Sequence, residues 1–320
     1  MPEYKACKEA FTDALLKLAR QNPDILVVSS DARGSCALNT YVEELPNQFV
    51  EVGIAEQNEV GIAAGLALSG KHPYVCAPAC FLTARALEQI KVDVAYSHQN
   101  VKIFGVSGGI SYGALGASHH TLHDIATLRC FPDLQIIIPS DAVQTRAMLQ
   151  TIEQGTDATY IRVGRGKIPV IYDEHYCGEP FILGKANSLR EGSDLTLVAC
   201  GEMVYHTLQA AQMLEEKGIQ ARVLDMATLK PFDEQAIREA ALETGAILTV
   251  EEHSIYGGLG SIVAQIVSSS HPVPVKSLAL PDEYLITGDS LELFAYYGLD
   301  AKGIADVAVR LFELKRGSHA

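Results

Sequence analysis

Glu56 is the residue in this chain best placed to do acid–base chemistry. It lies in EVGIAEQNEVGIAAG (residues 51–65), where a short strand at 49–52 passes through Gly53 into a helix whose first turn carries it. That helix consists largely of small residues, Gly61, Ala63, Ala64, Gly65 and Ala67, which let neighbouring backbones approach closely. Such packing predicts an interior Glu56, and a buried carboxylate is costly unless it is protonated or specifically hydrogen-bonded. The plainer account is a first-turn glutamate favoured by the helix dipole.

Other groups stand beside it. Phe81, in APACFLTARALEQI, opens a helix after a strand; it is either core or a platform on which a flat ligand stacks. The glycine-rich loop VSGGISYGALGASHH (106–120) also follows a strand, but it lacks the G-x-G-x-x-G spacing of a dinucleotide fingerprint. Its continuation HHTLH sets His119 and His123 one helical turn apart. A metal site there would need a third ligand that the local sequence does not offer, so His119 reads as a hydrogen-bonding or proton-transferring group. Arg162, Arg165 and Lys167 form a cationic cluster in RVGRGK, either an anion site or a solvated loop. EEHSIYGGLG (251–260) reads as a structural turn or subunit contact.

The totals narrow the choices. A chain of 320 residues can hold two domains with proper cores. Its net charge of −14 argues against nucleic-acid or anionic-membrane partners, although two or three local cations suffice for a phosphorylated substrate. No apolar run approaches a membrane span and MPEYKACKEA has no signal-peptide pattern, so the expected location is cytoplasmic. The seven cysteines are scattered, and only Cys76 and Cys80 lie close together. All are expected to be reduced and mostly buried, with no metal site on the chain.

Helical and strand patterns alternate. Phe11, Leu15 and Leu18 mark one helix face. Strands are predicted at 25–30, 73–77, 101–106, 135–138 and 159–163, and helices at 55–69, 82–97, 122–130 and 141–154. Residues 164–192 break the rhythm as a connection with some strand in it. A second unit follows, with strands at 194–200, 221–225 and 246–252 and helices at 204–217, 233–244 and 260–269. The fold class is α/β: two domains, 1–183 and 184–320, each a mostly parallel sheet covered by helices on both faces. Reactive groups then belong at the carboxyl ends of strands.

The order of the motifs is more specific than any one of them. A strand leading into GIAEQ, an F-x-x-x-R-A-x-E-Q helix, a glycine-rich loop ending in G-A-S-H, then R-G, then EEH…GGLGS resembles the transketolase family of thiamine-diphosphate enzymes over nearly the whole chain. The resemblance implies a pyrimidine-binding domain followed by the family's C-terminal domain. It also implies that Glu56 hydrogen-bonds a ring nitrogen of the cofactor's aminopyrimidine and drives it toward the imino tautomer, with burial raising the carboxyl pKa. Phe81 then stacks on the pyrimidine and Asp31 lies near it. His119 contacts substrate oxygens. Arg165 binds substrate phosphate with Lys8 as a second cation, and Ser35 and Ser107 line the substrate side.

One absence matters as much. Family members bind the diphosphate and magnesium through a domain carrying G-D-G and a later Asn; GDS at 288–290 has no such Asn after it. The resemblance therefore implies the C-terminal half of a split transketolase. A partner N-terminal subunit supplies the Mg2+ and diphosphate site in an α2β2 heterotetramer, and sugar phosphates of the pentose-phosphate kind are the substrates. Ser107 stands where relatives carry His or Arg, Leu115 where they carry Asp, and Pro78 where many have a second aromatic. These departures put the standard pentose-phosphate donors in doubt. The rival readings are the beta subunit of a 2-oxo-acid dehydrogenase, a half-enzyme like deoxyxylulose-phosphate synthase, and a catalytically silent scaffold.

Overall fold

In the computed structural model, which describes residues 3–174, 176 and 180–317, the chain builds two large sheets and a two-stranded ribbon of Tyr4–Ala6 with Lys167–Pro169. The first has seven strands in the spatial order Thr228–Lys230, Gln135–Ile137, Thr159–Val163, Lys102–Val106, His72–Pro78, Ile25–Ser29 and Phe49–Glu51. All neighbours are parallel except Thr228–Lys230, which runs antiparallel to Gln135–Ile137. The second sheet has five strands: Val275–Leu280, Ile247–Ser254, Leu195–Ala199, Ala221–Asp225 and an antiparallel edge, Asn187–Arg190. The strands read as continuous apolar runs because helices cover both faces. Ile103, Phe104, Tyr74 and Val75 have no solvent exposure. Phe11, on the helix Cys7–Ala19, stacks on Phe104 with ring centroids 3.7 Å apart.

The structure corrects several expectations. The helix expected over 82–97 begins three residues earlier, as Ala79–Arg85, and continues in a short turn and a π-helical stretch, Ile90–Tyr96. His119 and His123 do not share a helical turn, because the helix there starts only at Asp124. The small residues of Glu56–Leu68 are not a close-packed seam: Ala63 and Ala64 are buried, but nothing approaches a β-carbon placed on Gly61 or Gly65 within 4 Å. Close packing needs a facing backbone, and within this chain that side of the helix has none. Among the described cysteines, six are free; five of these are buried and Cys130 is exposed. Cys177 lies outside the described residues.

The two sheets are tied together by more than the connecting segment. The strand Thr228–Lys230 leaves the second unit to become the edge of the first sheet. Asp225 Oδ2 accepts from Ser140 Oγ at 2.6 Å, Gln144 Nε2 at 2.8 Å and Tyr172 OH at 2.6 Å. The glycine-rich loop is clasped from the second unit as well. Glu252 Oε1 accepts the Ile110 N–H at 2.5 Å, and Ser290 Oγ donates to the Ile110 carbonyl at 3.0 Å. Gly109 has φ +58°, and a β-carbon there would lie 2.1 Å from Glu252 Cδ. Its glycine serves this close approach, not a phosphate cradle.

Candidate active site

Every sequence-derived candidate except Lys8 follows the carboxyl end of a parallel strand of the first sheet, where the crossover loops emerge. Asp31 and Ser35 follow Ile25–Ser29. Glu56 follows Phe49–Glu51, Phe81 follows His72–Pro78, Ser107 and His119 follow Lys102–Val106, and Arg165 follows Thr159–Val163. Lys8 enters from the first turn of Cys7–Ala19.

Glu56 is 3% exposed at the start of its helix. Its Oε1 accepts from Arg85 Nη1 at 2.8 Å, and the same guanidinium lies over the Phe81 ring, 4.3 Å from its centroid. Phe81 and Arg85 stand one helical turn apart, so a single helix face presents both. Arg85 belongs to the F-x-x-x-R motif, yet the sequence alone assigns it no role; the i, i+4 aromatic–arginine spacing is the available signal. Its placement also tests the site. A flat, N–H-bearing group already fits between the Phe81 face and the Glu56 carboxylate, which is what an aminopyrimidine requires.

His119 sits between two aromatic rings. Its centroid is 5.2 Å from Phe81 and 5.4 Å from Tyr112, edge-on to both. Ser118 Oγ lies 3.0 Å from its Nδ1, which leaves Nε2 for another partner. Beyond it, the Arg165 guanidinium carbon rests 4.3 Å from the Tyr112 centroid. Tyr112 OH lies 3.2 Å from Ser35 Oγ, and Lys8 Nζ donates to the Ser35 carbonyl at 3.2 Å. A continuous path of side chains thus runs from Glu56 through Arg85, Phe81, His119 and Tyr112 to Arg165, with Ser35 and Lys8 alongside. Tyr112 is the second residue that sequence reasoning misses; an aromatic amid glycines is its only mark.

The far end of this path carries two cations, Lys8 and Arg165. Lys8 is held below the usual ammonium range, first by burial and then by the charge of Arg165. Arg165 Nη1 is buried and donates no hydrogen bond. Among the described residues neither cation is paired with a carboxylate. Two like charges pressed together with a spare donor are stabilised by an incoming phosphate or sulfonate.

Two candidates stay outside the path. Asp31 is exposed with φ 53°, its N–H given to Glu51 Oε1 at 2.8 Å. Ser107 is fully buried with φ 61°, its carbonyl accepting from Thr121 Oγ1 at 3.3 Å and its own hydroxyl without a partner. The apparent cluster of Arg162, Arg165 and Lys167 is dispersed. Arg162 is buried against Asp124 at 3.2 Å, while Lys167 lies exposed on a two-stranded ribbon with residues 4–6. His123 Nε2 lies 3.4 Å from Thr83 Oγ1. Glu251 caps the helix Leu259–Ser269, accepting from the Leu259 and Gly260 N–H groups at 2.7 and 2.8 Å. Among the described residues no three His, Cys, Asp or Glu side chains gather as metal ligands, and no helix is long and apolar enough to cross a membrane.

Residues 3–170 match the family model of the transketolase pyrimidine-binding domain, and residues 184–304 that of the transketolase C-terminal domain. The chain is 58% identical over 304 residues to a subunit of the apulose-4-phosphate transketolase of Phocaeicola vulgatus, covering 95% of this chain and 96% of that protein. It is 35% identical to a 6-deoxy-6-sulfo-D-fructose transketolase subunit of a Clostridium species, covering 96% of this chain and 95% of the relative. Among solved structures it superposes with a TM-score of 0.88 on a split-gene transketolase described as an inactive beta4 tetramer. That match is 39% identical and covers 97% of this chain and 99% of the other.

Proposed function

Since the chain belongs to the transketolase family and is one subunit of a split transketolase, we propose that it moves a two-carbon ketol unit from a short anionic ketose of the apulose-4-phosphate type to an aldose. Membership implies thiamine diphosphate, which supplies a carbon nucleophile and an electron sink when bound. Glu56 holds and exchanges a proton at a ring nitrogen of the pyrimidine, Phe81 carries its face, and Asp31 lies at its rim. Arg85 must release its hold on Glu56 for the pyrimidine to enter. His119, with Nδ1 occupied by Ser118, offers Nε2 to the substrate's hydroxyl and carbonyl oxygens. Ser35 lines the substrate side, Ser107 lies buried behind it, and Arg165 with Lys8 takes the anionic end.

Magnesium and the diphosphate belong to an N-terminal partner subunit in an α2β2 assembly, which we place in the cytoplasm. Residues 1–183 form the pyrimidine-binding unit and 184–320 the C-terminal unit. The observation that carries this reading is the unbroken path from an interior carboxylate to an unpaired pair of cations, with His119 midway. A 2-oxo-acid dehydrogenase subunit shares the carboxylate, but the anionic group of a simple 2-oxo acid sits on the reacting carbonyl carbon and leaves as carbon dioxide, so it does not call for cations at the far end of the path.

The test is reconstitution with the N-terminal subunit, followed by assay of ketol transfer from apulose 4-phosphate, xylulose 5-phosphate and 6-deoxy-6-sulfofructose. Transfer is expected only from the two-chain enzyme and best from apulose 4-phosphate. Robust turnover by this chain alone, or acyl transfer from a 2-oxo acid to lipoamide, would sink the reading. High efficiency with xylulose 5-phosphate would show that Ser107 and Leu115 do not alter donor choice.

A further inference from the structure

We propose that Tyr112 is the positioning residue that sets where the substrate's anionic end lies relative to His119. The inference deepens the reading above and rests on Arg165 being the anion-binding group. Arg165 is a long side chain beyond the end of its strand and does not hold one geometry unaided. Its guanidinium is laid flat on the Tyr112 ring at 4.3 Å, while one nitrogen, buried and unpartnered, stays free for a ligand. The same ring meets His119 edge-on at 5.4 Å. One rigid aromatic plane therefore fixes both the group that reads substrate oxygens and the group that takes the negative charge.

The ring is itself held at both ends. Its hydroxyl meets Ser35 Oγ at 3.2 Å, and the Ser35 carbonyl is held by Lys8 Nζ. Behind it, Gly113 is pinned by the second unit through the Gly288 N–H at 3.2 Å, and a β-carbon on Gly113 would lie 2.5 Å from the Gly288 carbonyl oxygen. Leu115, three residues on, is exposed and apolar. The ring, not the hydroxyl, makes the contact with Arg165. Losing the ring should loosen the anion site, while losing the hydroxyl alone should leave it in place.

The experiment compares Tyr112→Leu, Tyr112→Phe and Arg165→Ala in the reconstituted two-chain enzyme, each checked for an unchanged unfolding midpoint. Acceptors are glyceraldehyde 3-phosphate and uncharged glycolaldehyde, and inorganic phosphate serves as a competitive inhibitor. Tyr112→Leu is expected to raise KM for glyceraldehyde 3-phosphate and Ki for phosphate by about 5- to 30-fold, the range of a cation–π contact, with kcat little changed. Glycolaldehyde kinetics should fall by clearly less, since His119 keeps its Phe81 and Ser118 contacts, and Tyr112→Phe should restore KM to within about threefold. Equal losses for both acceptors would make Tyr112 a support of the loop alone and overturn the proposal. So would a Phe variant as impaired as the Leu variant. If Arg165→Ala fails to discriminate charged from uncharged acceptors, the anion-site reading falls first. If it discriminates while Tyr112→Leu behaves as wild type, the positioning role alone is lost.

Discussion

Arg162 and Arg165 stand three residues apart and do opposite things. Arg162 belongs to the strand Thr159–Val163 and points into the seam between the two units. There it meets Asp124 at 3.2 Å and donates to the Glu252 carbonyl at 2.5 Å. Burial works against its charge, but Asp124 and Glu252 outweigh it and its pKa stays above the ordinary value. Arg165 lies beyond the strand end, half-buried, with an aromatic plane behind it and a donor to spare. The contrast separates charge that is internally satisfied, which organises the fold, from charge left open, which waits for a ligand. The Glu56–Arg85 contact stands between them: satisfied in this structure by a partner that is half-exposed and free to leave.

The largest effect should come from the intermediate contact, where a satisfied carboxylate is released for a ligand. Glu56→Ala in the reconstituted enzyme is expected to slow exchange of the thiazolium proton by about 10²- to 10⁴-fold. Its unfolding midpoint should stay near wild type, because Arg85 is then left to water. Exchange within a few-fold of wild type would place Glu56 with the structural charges. On the closed side, Arg162→Met leaves Asp124 buried without its guanidinium and should cost about 3–5 kcal/mol, read by urea unfolding. A loss below about 1 kcal/mol would mean that the seam is not held by this pair.

Arg165→Ala should lower kcat/KM for a phosphorylated acceptor by about one to two orders of magnitude while leaving stability within about 0.5 kcal/mol. Equal losses for an uncharged acceptor would erase the distinction from Arg162. The smallest effect is a pH slope. Burial, and then the charge of Glu202, pushes the Glu252 carboxyl from 4.5 to about 8. The folded protein thus holds a proton that the unfolded chain has released, so this stabilisation is full at low pH and is lost as pH rises from about 4.5 toward 8. Glu252→Gln keeps the acceptor for the Ile110 N–H and cannot ionise. Its stability should therefore fall less than wild type between about pH 5 and pH 8 in urea titrations. Parallel slopes would show that Glu252 does not titrate in the folded state.

What could be read from the residues was local. Strands at 159–163 and 221–225 match the structure at both ends, because a run of apolar residues between breakers carries its own boundary information. The departures arise where a distant element intervenes. Thr228–Lys230 joins the first sheet only because Gln135–Ile137 offers it an edge. The glycines at 109 and 113 answer to Glu252 and Gly288, far along the chain. Residues 119–123 look helical by spacing, yet Thr121 pairs with Gly109 instead, through N–H···O bonds in both directions.

The sequence by itself determined the α/β alternation, the family and most of the residues along the path from Glu56 to Arg165, since each depends on residue type and short-range order. Only the tertiary structure decided which charges are spent and which are available. It set Arg85 against Glu56 across 29 positions and buried Arg162 against a carbonyl 90 positions away. It also laid Arg165 on Tyr112. A guanidinium reads the same in every sequence; its role follows from the dielectric and the partners around it, and those are assembled only when distant strands and loops meet.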